Sequence, residues 1–406
     1  MVYPTSPLGV WLLLAACASA AEEPERAELE GALGCSPAEA ISLLRAFMED
    51  PPAALCAAIA VWFRAGGSAT RIREWSAALP QTVETGRLPT AEAADEWARR
   101  HTLGMIEQFP IAIDEFTQLV LASALATKVT WQEPFEVVGS APYLQSTPSE
   151  GVVKDLLYDA SPQRPSMLTT TTAAGVVAVH AAIAKDDVVV LSVSADPGFS
   201  RQSVMQAAHE VAALSTRGSS GAQQCSLYDL PPGRGHSWNI VEREIRWPPG
   251  RSAERIGPTV LPAWDAFGKL DLSLSDVFGA NAALAALSKL MGDSVPGTSG
   301  TARQSVVASY GRYGFAASAV TAFGMPTALP DFGDDEEGVE RVAYLYFDHP
   351  YAVVALAGAG HRSKWTGLPL FSAWVASPAE PEPDSSAPVA EVPLWIDLED
   401  FQALES

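Results

Sequence analysis

Positive charge is scarce in this 406-residue chain: 26 lysines and arginines stand against 48 aspartates and glutamates, a net charge of -22. So acidic a chain argues against nucleic acid and anionic membrane as partners, since both need a basic face. Cysteine is scarcer still. Cys17, Cys35, Cys56 and Cys225 form no C-x-x-C pair, which points to neither a disulfide framework nor a metal site. Cys17 and Cys56 lie in Ala/Leu-rich runs that suit buried thiols. Long apolar runs are also missing. The run Gly9 to Ala21 is too short to span a bilayer. It closes on Ala18-Ser19-Ala20 as a secretory leader would, but no Lys or Arg precedes Arg26, and Pro7 suits the first turn of a buried helix. The buried helix is the preferred reading, with a cytoplasmic location as the default. Enzyme signatures are absent as well: no G-x-S-x-G elbow, no H-E-x-x-H, no P-loop and no dinucleotide glycine fingerprint. The six histidines (His101, His180, His209, His236, His349, His361) show no ligand spacing, and no cofactor or catalytic residue is expected. His349, between Asp348 and Pro350, reads as a hydrogen-bonded structural histidine.

What is present is a well-patterned α+β chain whose apolar residues make up 48% of it, enough for a large core. Helical spacing is expected after Pro7, over Pro37 to Met48, over Thr90 to Ile106 with Thr90 as N-cap, over Val204 to Leu214 and over Asp276 to Met291. Ala57 to Phe63 reads as a strand or the end of a buried helix. Val176 to Val179 and Val188 to Leu191 are continuous apolar runs, as in strands covered on both faces. Strands are expected over Val342 to Phe347, Tyr351 to Leu356 and Leu368 to Val375. Asp331 to Glu340 carries six acids and no base, which predicts an exposed loop. Residues 377–406 are Pro-rich with eight acids and no base, which predicts a disordered tail, with Trp395, Leu398 and Phe401 as an alternative short amphipathic helix.

Five landmarks in order then resemble one family, the serpins. Thr5-Ser6-Pro7-Leu8-Gly9-Val10 resembles its Ser-Pro helix start. Asp95-Glu96-Trp97-Ala98 with His101-Thr102-Leu103-Gly104 resembles its Asn-x-Trp-Val…Thr-x-Gly segment. Leu119 to Ala124, running to Trp131-Gln132-Glu133-Pro134-Phe135, is similar to its strand leading into Trp-x-x-Pro-Phe. Leu261-Pro262-Ala263-Trp264 with Asp271-Leu272, and Phe347-Asp348-His349-Pro350-Tyr351, complete the series. The resemblance implies one serpin-like α+β domain over 1–376, with a large mixed β-sheet, further sheets, helices and an exposed reactive loop at about 314–341. It also implies a non-enzymatic, monomeric serine protease inhibitor, extracellular if the family habit holds.

The loop carries the implied function. Gly314-Phe315-Ala316-Ala317-Ser318-Ala319-Val320-Thr321 resembles the family hinge, which inserts as a new central strand once the loop is cut. A strand entering between packed strands needs small side chains and no Pro. Alternation sends Phe315, Ala317, Ala319, Thr321, Phe323 and Met325 to one face, all apolar or Thr. Family spacing puts the scissile bond between Ala328 and Leu329, with Thr327 as the nearest alternative. The run Met325-Pro326-Thr327-Ala328 suits an elastase-like or subtilisin-like protease. Several positions depart from the family. Phe315 replaces a small residue, which predicts hindered insertion, and Arg312 and Tyr313 stand where acids are usual. At the shutter, where Ser6 belongs, Gln304 stands for a His, Ser123 for an Asn and Gly9 for a Ser. The second expectation is therefore a non-inhibitory binding protein on the same fold.

Overall fold

Proline placed just after a small hydroxyl residue starts two of the helices. Ser6 caps α1 (Pro7–Ala18) by accepting from the Gly9 N–H, and Ser36 caps α3 (Pro37–Glu49) by accepting from that of Glu39. The missing N–H of proline is no loss in a first turn, where amides have no helical partner. Helix α2 (Glu25–Leu33) ends at Gly34, which takes the left-handed backbone that closes a helix. The remaining α-helices among the described residues are α4 (Ala69–Ala78), α5 (Ala91–His101), α6 (Arg201–Arg217) and α7 (Ala280–Met291). Thr90 caps α5 as expected, and three bases, Arg99, Arg100 and His101, fill its last turn, where they complement the helix dipole.

The computed structural model describes residues 2–64, 69–115, 117–138, 156–161, 166–217, 223–247, 254–271, 279–291, 303–315, 336–358 and 364–376. The chain gathers into two compact units, each discontinuous in sequence. The first holds residues 1–3, 129–266 and 308–406; the second holds 4–128 and 267–307.

The first unit is built on sheets. The largest is seven-stranded, ordered β1 (Val2–Thr5), β20 (Pro369–Val375), β19 (Tyr351–Ala357), β10 (Val188–Ser194), β9 (Gly175–Ile183), β8 (Ser166–Thr171), β11 (Gln223–Gln224). Its pairings with described register, from β20 to β11, are antiparallel. The apolar runs read from the sequence are its central strands. Helix α6 covers one face, where Val204, Ala208 and Val211 meet Val179, Val193 and Val354, all buried. Each such valine contributes about 1.5–3 kcal/mol by leaving water.

A six-stranded sheet runs β12 (Gly233–Arg234), β13 (Trp238–Trp247), β18 (Glu336–Tyr346), β14 (Glu254–Pro262), β7 (Leu156–Asp159), β6 (Glu136–Val138). It is mixed: β14 runs parallel to β18 and antiparallel to β7. A four-stranded sheet runs β15 (Trp264–Asp271), β16 (Arg303–Tyr310), β17 (Gly314–Phe315), β5 (Val129–Thr130). Of β1, β15 and β16 the first unit holds residues 2–3, 264–266 and 308–310.

The second unit packs helices with a three-stranded sheet, β3 (Glu84–Arg87), β2 (Leu55–Phe63), β4 (Leu119–Thr127), parallel between β2 and β3 and antiparallel between β2 and β4. Trp62, Trp97 and Phe109 cluster there, with Trp62 and Trp97 edge to face at 5.3 Å.

Two expectations are corrected. Residues 331–340 are not one exposed loop, because β18 begins at Glu336 and Glu340 is 2% exposed, accepting from Arg255 Nε at 3.2 Å. A buried carboxylate needs such a partner, and alternation along the strand, which acidity conceals, turns Glu340 inward. Cys56 is exposed rather than buried, since it alternates outward near the start of β2, whereas Cys17 is buried.

Candidate functional site

The chain reverses direction at residues 311–314, where the Gly311 N–H donates to the Gly314 carbonyl at 3.1 Å. The two residues that follow the turn are already a strand. In β17, Phe315 pairs with Tyr310 of β16 on one side and with Val129 of β5 on the other, and Gly314 pairs with Thr130. The first two hinge residues thus occupy a central sheet position. Phe315 is 3% exposed and lies 6.4 Å from the Phe371 ring. In this structure the bulky ring is accommodated within the sheet.

The Trp-x-x-Pro-Phe segment anchors this turn through backbone atoms. The Trp131 N–H donates to the Tyr313 carbonyl and that of Phe135 to the Arg312 carbonyl, each at 2.9 Å; Trp131 Nε1 donates to the Gly311 carbonyl at 2.8 Å. Pro134 has no N–H to offer, so the donors are its neighbours. Trp131, Phe135, Tyr310 and Trp264 are all essentially inaccessible and form one aromatic platform, with ring centroids 5.2–6.0 Å apart.

Charge surrounds the same turn. Burial raises the Glu136 carboxyl above its usual range and Asp159 adds to the effect, while Arg312 opposes both. Asp159 in turn lies 2.8 Å from Nε2 of the buried His180, whose ring is 5.7 Å from that of Phe135. Arg312, one of the two residues that depart from the acids the resemblance would place before the hinge glycine, interacts with an acid supplied by β6.

The shutter residues meet in the second unit. Gln304 grips the backbone of Ser6 at both ends: its Oε1 accepts from the Ser6 N–H at 3.1 Å, and its Nε2 donates to the Ser6 carbonyl at 2.9 Å. Ser123 Oγ donates to the Gly9 carbonyl at 3.3 Å. Gln304 and Ser123, on β16 and β4, therefore converge on the first turn of α1. Gly9 explains how Gln304 fits, because a Cβ there would lie 3.2 Å from Gln304 Nε2 and 3.2 Å from Leu125 Cδ1. The glycine and the glutamine go together: the side chain lost at one position leaves room for the longer amide at the other.

Of the hinge, Gly314 and Phe315 are described. Ala316, Ala317, Ser318, Ala319, Val320, Thr321 and the scissile pair Ala328 and Leu329 lie outside the described residues, as does the tail 377–406. The carbonyl anchors of the turn were not foreseen, because a backbone oxygen carries no residue-type signal. Arg312 opposite Glu136 was legible only as two charges far apart in sequence. Among the described residues no group of His, Cys, Asp and Glu could hold a metal ion, and no helix is long and apolar enough to cross a membrane.

The family described as serpin (serine protease inhibitor) matches residues 4–140. The fold resembles solved structures over nearly the whole chain. Human thyroxine-binding globulin complexed with thyroxine is 15% identical with a TM-score of 0.60, covering 94% of this chain and 93% of that one. The thermophilic serpin tengpin in its native state is 14% identical with a TM-score of 0.59, covering 93% and 88%. Serpin48 of the insect Tenebrio molitor is 13% identical with a TM-score of 0.55, covering 92% and 91%. At these identities the likeness is one of fold. No curated protein sequence matches the chain.

Proposed function

We propose, from the premise that this chain is a serpin in fold and in its N-terminal sequence, that it inhibits a serine protease as a suicide substrate. The protease's serine hydroxyl attacks the Ala328 carbonyl; the bond to the Leu329 nitrogen breaks, the amine leaves with a proton, and an ester to the protease remains. The freed segment 316–328 then extends β17 as a full strand and carries the acylated protease with it. A conformational release of this kind runs on stored free energy. About ten new ladder bonds at roughly 0.5–1.5 kcal/mol each supply on the order of 5–15 kcal/mol.

One observation carries the reading: β17 is paired on both sides. A segment that is to insert needs a seeded register, and Gly314 and Phe315 have one. Phe315 faces the core, and on insertion alternation would send Ala317, Ala319 and Thr321 to that same face. The small residue at Ala328 suits a protease with a shallow primary pocket, elastase-like or subtilisin-like.

A second reading is a binding protein whose loop is cut without insertion. The triple anchoring of the 311–313 carbonyls favours it, since a clamped turn resists further movement. Incubation with both protease types, followed by denaturing gels and mass spectrometry, separates the two. A denaturation-resistant complex with cleavage after Ala328 supports inhibition. Cleavage within 322–340 with no complex and no gain in thermal stability rejects it in favour of the binding protein.

A further inference from the structure

The corner between β18 and β19 holds Asp348, His349 and Pro350, and the imidazole there touches three separate stretches of chain. His349 Nδ1 lies 2.9 Å from Asp348 Oδ1. Its Nε2 lies 2.8 Å from the Ala195 carbonyl, just beyond the end of β10, and 3.1 Å from both Ser194 Oγ and Ser237 Oγ. The two hydroxyls are 2.9 Å from each other. Ser194 and Ser237 are fully buried, and the His349 side chain is 11% exposed.

Donor and acceptor bookkeeping decides the protonation state. A carbonyl oxygen can only accept, so Nε2 must carry a proton. An ionised carboxylate can only accept, so Nδ1 must carry one as well. Arg234 Nη2 lies 3.7 Å from the other oxygen of Asp348 and supplies a positive charge beside it. The ring is therefore an imidazolium with both donors used. Ser, His and Asp together suggest a hydrolase, but this geometry opposes one. A general base must accept the serine proton at Nε2, and here Nε2 already donates, while both hydroxyls are sealed from substrate.

We propose that His349, Asp348, Ser194, Ser237 and the Ala195 carbonyl form a proton-operated latch, closed while the ring is cationic, that fastens the β18–β19 corner to the end of β10 and to the residue before β13. Loss of one proton leaves a lone pair facing either a carbonyl or a carboxylate, and one side of the latch lets go.

The charged and titratable groups around the ring agree with this. Burial pulls the imidazole down, but the hydrogen bonds to Asp348 and the Ala195 carbonyl, with the charges of Asp348 and Asp196, outweigh it, and the net direction is upward. Asp196 is shared with His236, 3.0 Å away on the turn before β13. Tyr346, whose hydroxyl donates to the Gly235 and Trp238 carbonyls, is pushed up to about 12, chiefly by burial, and stays neutral. A raised folded value means that the stabilisation is complete below the unfolded pKa of about 6.5 and is lost as pH rises through the folded value.

The test uses the full chain. His349→Gln identifies the His349 signal in proton NMR and is compared with wild type in thermal unfolding between about pH 6 and pH 9, a window that brackets the ordinary histidine value. The expected result is a His349 midpoint above that value, and a wild-type advantage in Tm that is present at the acid end and lost at the alkaline end. Asp348→Asn removes the anion with little change of shape and should move the His349 midpoint down, which keeps the test valid if His349→Gln does not fold. His236→Gln is the control and should leave the profile unchanged. A His349 midpoint below the ordinary value, a wild-type advantage independent of pH, or a profile abolished by His236→Gln instead would overturn the proposal. None of these readouts involves a protease, so they stand apart from any failure of the inhibitor reading.

Discussion

At the scale of single residues, two side chains bear the most weight. Phe315 sits where a small residue was expected, yet it is buried against Phe371. Replacing it with alanine empties that volume, and Phe315→Ala should cost about 3–5 kcal/mol in chemical unfolding. A change below about 1 kcal/mol, within the range of ordinary surface substitutions, would mean the ring does not occupy the sheet. Gln304 is the other. Its amide makes two hydrogen bonds to the Ser6 backbone that alanine cannot replace. Gln304→Ala should lower stability by about 1–3 kcal/mol, since two partly buried hydrogen bonds to Ser6 are lost while its carbonyl keeps the Val10 N–H. Gln304→Glu keeps an acceptor for the Ser6 N–H but sets a carboxylate against the Ser6 carbonyl, so it should not rescue the loss. Full rescue by glutamate in urea unfolding would show that the Nε2 bond contributes nothing.

At the scale of elements, β17 is the short strand on which the functional proposal turns. Residues before it are held by a turn and three carbonyl bonds, and residues after it have the small, alternating composition of a central strand. Proline cannot donate to a ladder and is excluded from central strands. Ala319→Pro should therefore leave cleavage at Ala328 intact while abolishing the denaturation-resistant complex. It should also suppress the stability gain after cleavage, which wild type should show as a rise in Tm on the order of 10 °C, given the ladder bonds formed and a chain of this size. Calorimetry before and after limited proteolysis reads both. An equal rise in the proline variant would place the gain somewhere other than strand insertion.

At the scale of the whole molecule, the charge of -22 sets how partners arrive. Opposite charge speeds encounter, and salt screens it within about 8–10 Å at physiological ionic strength. Association with a cationic protease should slow as salt rises, and association with an anionic one should quicken, both measurable by stopped-flow or competition with a chromogenic substrate. A rate constant indifferent to salt for both would mean the acidic surface lies away from the encounter. The two compact units are each assembled from segments distant in sequence, which is why composition along the chain shows no boundary between them.

Much was legible in the residues alone. Ser6-Pro7 and Ser36-Pro37 mark helix starts, Thr90 caps α5, and the valine runs read as covered strands, because caps and periodicity are carried by residues within a few positions of one another. The order of the landmarks, from Ser6-Pro7 to the Asp348-His349-Pro350 corner, and the small-residue hinge pointed to the fold and to the segment that matters. Three things were decided only by tertiary structure. Phe315 is buried in the sheet, Gly9 makes room for a glutamine nearly three hundred residues away, and His349 meets the Ala195 carbonyl and the hydroxyls of Ser194 and Ser237. In each case the partner is remote in sequence or is a backbone atom, and neither leaves a local trace in the residue pattern.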